Sequence, residues 1–503
     1  MMKGIHPMTL NAERIMTLYY LSAAYGSDDN DGTSPDRPWR TLGRLADVRL
    51  DPGDGIRLER GSTWNNEALH LHDGGTQGHP VTIDDYGDPT LPPPHIACDG
   101  AGLWHEDYGA PIGGAPHRHK GEISTALLLM DTSYVEVYDL ELSNRRKPGE
   151  TPAFNDRDAR DRTGVAVIAQ ERGTVSHVTL ERLHVHDVEG NIYDKHLANG
   201  GIYCNAHFPA ERNPADAPVA RFEHVRIAHN TVERTTRWGI AVGYTAYLAF
   251  IDRATPDGHG GFLNEFDYGD GRIDDNMLAH YGATDVIVEH NTVTRAGGDA
   301  ITVMYCLRPV VRANTAKDAA WFIRDDVYMA TDADRVAAAI WPWRCKDALF
   351  ERNVACRTRN ADRGNGDGQA WDADFGDGTV YRHNYSEGNS GGTVMFCNEC
   401  AVRSVFEHNV AVGDHMGAID IPHNPDATVR GNVFVLADGA HPLRLDRADG
   451  AAAVEGNIFV AKGGRPLATD WHPAGSHVAW RGNTYVGFAT IPDDDREGTI
   501  MDG

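Results

Sequence analysis

The sequence predicts an all-β fold, a solenoid in which short strands stack coil upon coil within one domain. A short unit recurs along the chain, and each copy of about 25 residues contains two or three runs in which apolar and polar residues alternate. Runs of three to five residues with this period are typical of strands and are too short for helical repeats. The 54 Gly and 25 Pro are spread over 503 residues without a low-complexity linker, which favours one long domain.

An Asn inside the recurring unit is predicted to build the solenoid. Its copies stand at Asn230, Asn291, Asn314, Asn353, Asn384, Asn409, Asn432, Asn457 and Asn483. From Asn353 onward the steps are 31, 25, 23, 25 and 26 residues, and longer steps earlier in the chain indicate insertions. Asn hydrogen-bonds backbone groups at a bend while it tolerates the left-handed conformation. We therefore interpret these Asn as architecture, together with the His that precedes several of them (His229, His290, His383 and His408).

The composition limits the possible partners. The formal net charge is -26, from 47 Lys and Arg against 73 Asp and Glu, so neither nucleic acids nor anionic membranes are expected to bind. No run approaches the roughly 18 consecutive apolar residues of a membrane span. Seven Cys do not suggest a disulfide scaffold, and Met1 to Arg14 lack the apolar stretch of a secretory signal. We therefore expect a cytoplasmic location more than a secreted one, and the oligomeric state stays open.

The N-terminal segment differs from the repeats. Residues 1–60 are predicted to form a cap with the first strands, including an amphipathic helix from Thr41 to Val48, because an open solenoid end exposes strand edges and core. Residues 61–503 are predicted to form the solenoid, with loop excursions near 246–282 and 316–336.

Three strings in this segment carry a family resemblance. GSDDNDGTSPDRPWRTL, PGDGIRLERGSTW and VTIDDYG resemble the N-terminal cap and first coil of right-handed parallel β-helix proteins of the pectate-lyase-like superfamily. The resemblance implies a right-handed parallel β-helix. Most of these proteins act on carbohydrates, so it also implies a carbohydrate substrate.

Two aspartates of the segment DGQAWDADFG are the first candidates for catalysis. If Trp371 and Ala373 point inward, Asp372 and Asp374 share the outer face about 6.6 Å apart, whereas the opposite register would bury two carboxylates. Glycoside hydrolysis uses two carboxyl groups roughly 5 to 9.5 Å apart, one as acid and the other as nucleophile or base. The pair therefore predicts a glycoside hydrolase or a related glycosyl-transferring enzyme.

Two further aspartates are catalytic candidates. Asp420 points outward by the same alternation two coils away, and Asp367 lies in the turn before the strand of the first pair. The segment NGDGQAWDADFG, followed by TVYRHNYSEGNSGG, also resembles the central segment of β-helix glycoside hydrolases, including the lacto-N-biosidase-type families. This resemblance implies catalytic roles for Asp367 and Asp374.

The substrate is expected to lie along outward side chains of neighbouring coils. The predicted substrate-binding residues are Asp299, Trp341, Trp343, Tyr244 and His423. Aromatic rings stack on sugars, although packing in the core or in a loop is an equal alternative for the two Trp. The excursions should wall the groove and shorten it, which favours an exo-acting enzyme.

Two other functions stay open. A polysaccharide lyase or uronate epimerase would use Lys, Arg, His or Tyr beside a uronate carboxylate, with Arg344, Lys346 and Lys195 as candidates. Such an enzyme would need bound Ca²⁺ to hold a polyanion against the negative charge of the chain. A non-catalytic carbohydrate-binding β-helix would present a groove without converging acids.

No cofactor is predicted and no metal ligand is assigned. The loops Asp28–Gly32 and Asp267–Asp275 offer oxygens for Ca²⁺, although a solvated acidic loop is the simpler interpretation. Cys397 and Cys400 lack the second pair of a zinc site. His184 and His186 lie two residues apart on one predicted strand, next to Asp187, but no clear third ligand accompanies the two His.

Overall fold

The structure is a computed structural model that describes residues 16–110, 118–147, 160–192, 196–210, 217–252, 269–322, 337–360, 367–463 and 465–503. Within these ranges, forty strands, numbered β1 to β40 in chain order, form three sheets. Within the described residues, all strand pairs are parallel except one, and each sheet takes its neighbouring strands from successive coils. The predicted all-β parallel β-helix is confirmed.

The first sheet runs from the N-terminal strands to the last coils. Its strands are β1 (Leu18–Leu21), β2 (Gly55–Glu59), β5 (Val81–Tyr86), β9 (Val135–Tyr138), β12 (Thr174–Glu181), β15 (Arg221–Ala228), β18 (Ala283–Glu289), β21 (Cys306–Leu307), β22 (Val310–Arg312), β25 (Leu349–Glu351), β28 (Val380–Arg382), β31 (Ser404–Glu407), β34 (Ala427–Arg430), β36 (Ala451–Glu455) and β38 (His477–Arg481).

The second sheet contains the short strands that follow the bend after each first-sheet strand. They are β3 (Thr63–Asn65), β6 (His95–Ala97), β10 (Glu141–Asn144), β13 (His184–Val188), β16 (Thr231–Thr235), β19 (Thr292–Ala296), β23 (Thr315–Lys317), β26 (Val354–Cys356), β29 (Tyr385–Glu387), β32 (Val410–Val412), β35 (Val433–Val435), β37 (Ile458–Val460), β39 (Thr484–Val486) and β40 (Thr499–Met501).

The third sheet carries the candidate catalytic residues. Its strands are β4 (Leu69–Leu71), β7 (Leu103–Asp107), β8 (Lys120–Met130), β11 (Asp161–Ala169), β14 (Gly200–Ala206), β17 (Trp238–Thr245), β20 (Ile301–Met304), β24 (Ile340–Trp343), β27 (Gln369–Asp374), β30 (Gly392–Cys397) and β33 (Ile419–Asp420). The antiparallel pair is β7 with β8.

Inward side chains of successive coils stack on one another in the core. Phe434 and Phe459 pack with ring centroids 5.1 Å apart and nearly parallel planes, and Tyr485 continues the stack 5.9 Å from Phe459. In-register parallel pairing places like positions of neighbouring coils one above another, so each coil buries its apolar side chains against the next.

The Asn residues form the predicted ladder. The side-chain oxygen of Asn384 accepts hydrogen bonds from the backbone N–H and side-chain amide of Asn353, and Asn384 donates in turn to Asn409. The left-handed residue of each bend is the one before the Asn, with φ 55° at His383 and 63° at Gly431, which corrects the expectation that the Asn itself adopts it. Asn384 is buried because its amide replaces the backbone partners that a bend lacks.

The predicted cap overlaps the β-helix. Strands β1 and β2 lie before residue 60, yet they pair in parallel within the first sheet. Between them a 3₁₀ helix, Leu42–Asp47, stands where the sequence predicts an amphipathic helix, and it buries Leu42 and Leu45. The boundary between cap and solenoid is therefore gradual.

Two α-helices lie in the first predicted excursion, α1 (Leu248–Asp252) and α2 (Asp275–Tyr281). Residues 253–268 of this excursion and 323–336 of the second lie outside the described residues. In the described part of the chain, neither helix has the length and hydropathy needed to cross a membrane.

Candidate active site

The outer face of the third sheet brings the predicted aspartates together. Trp371 and Ala373 belong to the core, so Asp372 and Asp374 project from the opposite face of β27, as the alternation predicts. Parallel pairing aligns Asp372 with Met395, and Met395 with Asp420 on the following coil. The aspartates of β27 and β33 therefore share one face.

This face is not the open, solvent-facing groove that the sequence predicts. Asp372 is only 3% exposed, and Tyr244 and Trp341 are also buried. A second apolar cluster covers part of the outer face, in which Leu248 of α1 and Leu278 of α2 pack with residues of β17 and β24. The strands are covered because the excursion between β17 and β18 folds back onto them, and we call this cover, α1 and α2 with their flanking residues, the roof.

Asp372 and Asp374 lie side by side with a thiol. One oxygen of Asp372, one of Asp374 and Sγ of Cys397 are all within 4.8 Å of one another. Burial raises the pKa of Asp372 well above its usual range, and the charges of Asp374, Asp367 and Asp420 raise it further against the opposing effect of Arg447. Burial and these charges therefore favour the protonated form of the Asp372 carboxyl.

Oδ1 of Asp372 and the thiol of Cys397 are two polar groups of this cluster that a substrate or water could contact. Within the described residues, Oδ1 of Asp372 is buried without a hydrogen-bond partner, a condition that favours a bound hydroxyl or water. The pKa of the Cys397 thiol is also raised, by desolvation first and then by Asp374, Asp372 and Asp367, so the thiol stays neutral.

Asp367 joins the same cluster from the turn before β27. It is half-buried, and its charge acts on Asp372, Cys397 and Arg447. Asp374 is half-buried as well. Asp367 and Asp374 are thus the accessible members of the cluster, and Asp372 lies behind them.

Asp420 has a different environment. Its carboxylate pairs with Arg447 and lies 3.4 Å from Nη1 of Arg444, and Nε2 of Gln369 donates to it at 3.3 Å. Burial raises the pKa of Asp420, while the two guanidinium groups oppose that shift. These ion pairs indicate that Asp420 anchors the arginines beside the cluster.

Arg447 and Arg444 pair with Asp420 without being predicted by any sequence motif. They lie at the end of a 3₁₀ helix, Leu445–Arg447, and just before it, in a coil that has no recognisable motif. The only signal was the proximity of HPLRLDRADG to the Asp420 coil along the chain, which does not single out a particular Arg.

Asp299 supports an aromatic residue and is not available to substrate. It is 1% exposed, pairs with Arg237 at 3.0 Å, and accepts hydrogen bonds from Nε1 of Trp341 at 2.9 Å and from the backbone of Ala338. The prediction that Asp299 contacts substrate is corrected for this reason: a buried carboxylate needs partners, and the protein supplies them.

Trp343 is the accessible member of the predicted aromatic set. It is half-buried, aligns with Asp374 in the pairing of β24 with β27, and stacks on Trp341 at 6.2 Å. Tyr244 lies 6.0 Å away but is buried, so its predicted stacking on a sugar and that of Trp341 are corrected to packing around Trp343.

His423 stands apart from the cluster in its contacts. The side chain is exposed and pairs with Asp449, with Nδ1 2.7 Å from Oδ2. A contact with substrate stays a prediction for this residue.

The basic residues proposed for a lyase hold the roof. Arg344 is buried and donates from Nε to Asp252 of α1 at 2.6 Å, and Lys346 pairs with Asp275 of α2 at 2.6 Å. Lys195 lies outside the described residues. Arg344 and Lys346 are therefore engaged in structure.

The predicted calcium loops are only partly described. Asp28 accepts hydrogen bonds from the backbone of Arg40 and Thr41, and Asp31 from that of Thr33, so their oxygens close the loop. The loop Asp267–Asp275 begins outside the described residues. A calcium site in these loops therefore stays a prediction.

All seven Cys are free thiols.

Comparisons with known proteins identify the family. No family model matches the chain. A lacto-N-biosidase of Bifidobacterium longum subsp. longum is 42% identical over 510 residues, which cover 95% of this chain and 31% of that protein. The chain thus spans about a third of the length of this curated relative.

Two crystal structures of a GH136 lacto-N-biosidase from Eubacterium ramulus give the same result. The selenomethionine form is 39% identical, with a TM-score of 0.78 over 89% of this chain and 67% of that one. The native form is also 39% identical, with a TM-score of 0.80 over 88% of this chain and 67% of that one. With this identity over two thirds of the solved protein and the acid cluster on the predicted face, the chain belongs to the GH136 lacto-N-biosidase family.

Proposed function

We propose that this chain is a lacto-N-biosidase-type glycoside hydrolase that cleaves an oligosaccharide. The observation that carries the proposal is the convergence of Asp367, Asp372 and Asp374 beside Trp343 at the edge of the roofed face. Its relatives carry the name lacto-N-biosidase, which supports the same substrate class for this chain.

Asp374 and Asp367 are proposed to contact the substrate. Both are half-buried, and a carboxyl group must reach the glycosidic bond to transfer a proton or attack the sugar. One of them protonates the leaving oxygen, and the other attacks the anomeric carbon or activates water. Trp343 would pack against a sugar ring beside Asp374.

Asp372 is proposed to act behind this pair. Its raised pKa keeps it neutral, so it lies next to Asp374 without adding a second charge. Asp372 is also the alternative partner of Asp374. The approach of their oxygens within 4.8 Å supports the short carboxyl spacing of a retaining enzyme, about 5 to 5.5 Å, if these two form the pair.

The roof supports an exo-acting enzyme. A buried ion pair of Arg344 with Asp252 and a more exposed pair of Lys346 with Asp275 fix both helices over the strands that precede β27. A saccharide chain that continued over this part of the face would meet packed side chains. The end of a saccharide therefore fits this site better than its middle.

The test is a comparison of Asp→Asn variants at positions 367, 372, 374 and 420, with turnover measured on an oligosaccharide substrate. Asp367→Asn and Asp374→Asn should lower kcat by about 10²- to 10⁴-fold, the usual contribution of acid–base groups. Asp372→Asn should lower it by less than about tenfold, because Asn is isosteric with the neutral carboxyl that it replaces. A loss of a thousandfold in Asp372→Asn with an unchanged Asp367→Asn would make Asp372 the partner of Asp374.

Chemical rescue assigns the two roles. Small-residue variants at each position are assayed on an aryl glycoside with a good leaving group, with and without azide. The acid variant should keep activity on this substrate because the leaving group needs no proton. The nucleophile variant should recover activity only with azide, which replaces the missing carboxylate. If neither the wild type nor any variant releases a disaccharide from lacto-N-biose-containing substrates, the proposed function is wrong.

A further inference from the structure

A cluster of metal-ligating groups lies on the outer face of the second sheet, on different strands from the active site. It joins three successive coils through His95 of β6, Glu141 of β10 and His186 of β13. One nitrogen of each His and one oxygen of Glu141 lie within 4.8 Å of one another. Oε1 of Glu141 is 2.9 Å from Nε2 of His186 and 3.7 Å from Nδ1 of His95.

The other nitrogen of each ring is held by a neighbour. Nε2 of His95 lies 2.9 Å from Oγ of Ser143, and Nδ1 of His186 lies 2.8 Å from Oδ2 of Asp187. Such partners orient metal-binding imidazoles and set their tautomer. Here they direct Nδ1 of His95 and Nε2 of His186 toward the same carboxylate.

Asp187 is itself fixed in place. Nη2 of Arg145 donates to it at 2.8 Å and Nη2 of Arg234 at 3.2 Å. Asp187, held in this position, orients the ring of His186 so that Nε2 faces Glu141.

The three groups lie in a shielded position. His186 is 5% exposed, and the side chains of His95 and Glu141 are 16% and 23% exposed. The carboxylates around the site are those of Glu141, Asp187, Glu233 and Asp99, and the cations are Arg145 and Arg234, so acidic groups predominate.

We propose that His95, Glu141 and His186 form a zinc site, with water as the fourth ligand, that ties three coils together. Two imidazole nitrogens and one carboxylate oxygen suit zinc, whereas calcium takes oxygen ligands only. The sequence draws attention to His186 but does not indicate the other ligands. Glu141, for example, is 45 residues away and becomes a neighbour of His186 only through the stacking of coils. The site is independent of the proposed glycosidase activity.

The test uses the full chain, stripped of metal with a chelator and titrated calorimetrically with ZnCl₂. We expect about one zinc per chain and a higher melting temperature with zinc than without. Loading with Co²⁺ should give visible absorption bands of a low-coordinate site containing nitrogen ligands. A wild type that binds no zinc stoichiometrically would overturn the proposal, whatever the variants do.

Variants locate the ligands. His95→Gln, Glu141→Gln and His186→Gln should each abolish the zinc-dependent rise in melting temperature. Asp187→Asn should weaken binding about 10- to 100-fold. His184→Gln is the matched control, since this ring packs 4.4 Å from His186 but hydrogen-bonds to Glu233, and it should bind zinc as the wild type does.

Two outcomes would contradict this assignment. Zinc that binds equally well to the three ligand variants lies elsewhere on the chain. The competing arrangement is a His186 that only hydrogen-bonds to Glu141 and Asp187, and it predicts a folded wild type whose melting temperature does not respond to zinc. Circular dichroism of each variant shows whether a lost response reflects a lost ligand or a lost fold.

Discussion

Replacing one Asn in the middle of the ladder should destabilise the β-helix strongly. The side-chain oxygen of Asn384 accepts from the backbone and side chain of Asn353 at 2.9 and 3.1 Å. Its amide donates to the carbonyl of Phe350 and to Asn409, each at 3.0 Å. Asn384→Ala removes these four hydrogen bonds at a buried position.

The structure sets the size of the effect. The backbone N–H of Asn353 loses its acceptor, which costs about 1 to 3 kcal/mol for a buried donor. The groups on the other side of the remaining three bonds keep a second partner or gain water. Loss of each of these bonds should therefore lower the free energy of unfolding by only about 0.5 to 1 kcal/mol. Together the free energy of unfolding should fall by roughly 4 kcal/mol, a value in the upper range for single substitutions.

Urea unfolding followed by far-UV circular dichroism measures this change. Asn276→Ala is the control, because Asn276 is exposed on α2 and its replacement should change the free energy of unfolding by about 0.5 kcal/mol or less. The ladder would be dispensable if Asn384→Ala unfolded within about 1 kcal/mol of the wild type while the control behaved as expected.

Three further predictions concern the active-site region. The folded chain holds a proton on Asp372 that the unfolded chain releases above about pH 4, so the stability that Asp372 provides is complete below that pH and is lost as the pH rises through the raised pKa. Asp372→Asn should therefore gain stability relative to the wild type as the pH rises above about 4 in urea titrations, and a constant difference would contradict this. Arg344→Leu leaves Asp252 buried without its cation, at a cost of about 3 to 5 kcal/mol, and should accelerate hydrogen exchange in α1; unchanged exchange would show that the ion pair does not hold the roof. Trp343→Ala, in an Asp374→Asn background that prevents turnover, should weaken oligosaccharide binding about fivefold, which corresponds to about 1 kcal/mol of stacking; equal affinity by calorimetry would remove Trp343 from the substrate site.

The repeat and its strands could be predicted from the sequence. The period of two forces side chains to alternate between core and outer face, so the orientation of Asp372 and Asp374 follows from the apolar character of Trp371 and Ala373. The Asn ladder follows from the same repeat, because each copy hydrogen-bonds to the equivalent bend of the neighbouring coils.

The β-helix, the ladder and the face that carries the aspartates thus follow from the repeat, because they depend on contacts within a coil and between neighbouring coils. What surrounds that face depends on packing between distant segments. Two non-repeating parts of the chain supply these surroundings: the roof over Tyr244 and Trp341, and the arginines beside Asp420. Because they lack the repeat pattern, the sequence does not show where they pack. The coils differ in length, so the register that brings His95 and Glu141 to His186 cannot be counted along the chain and exists only once the coils have stacked.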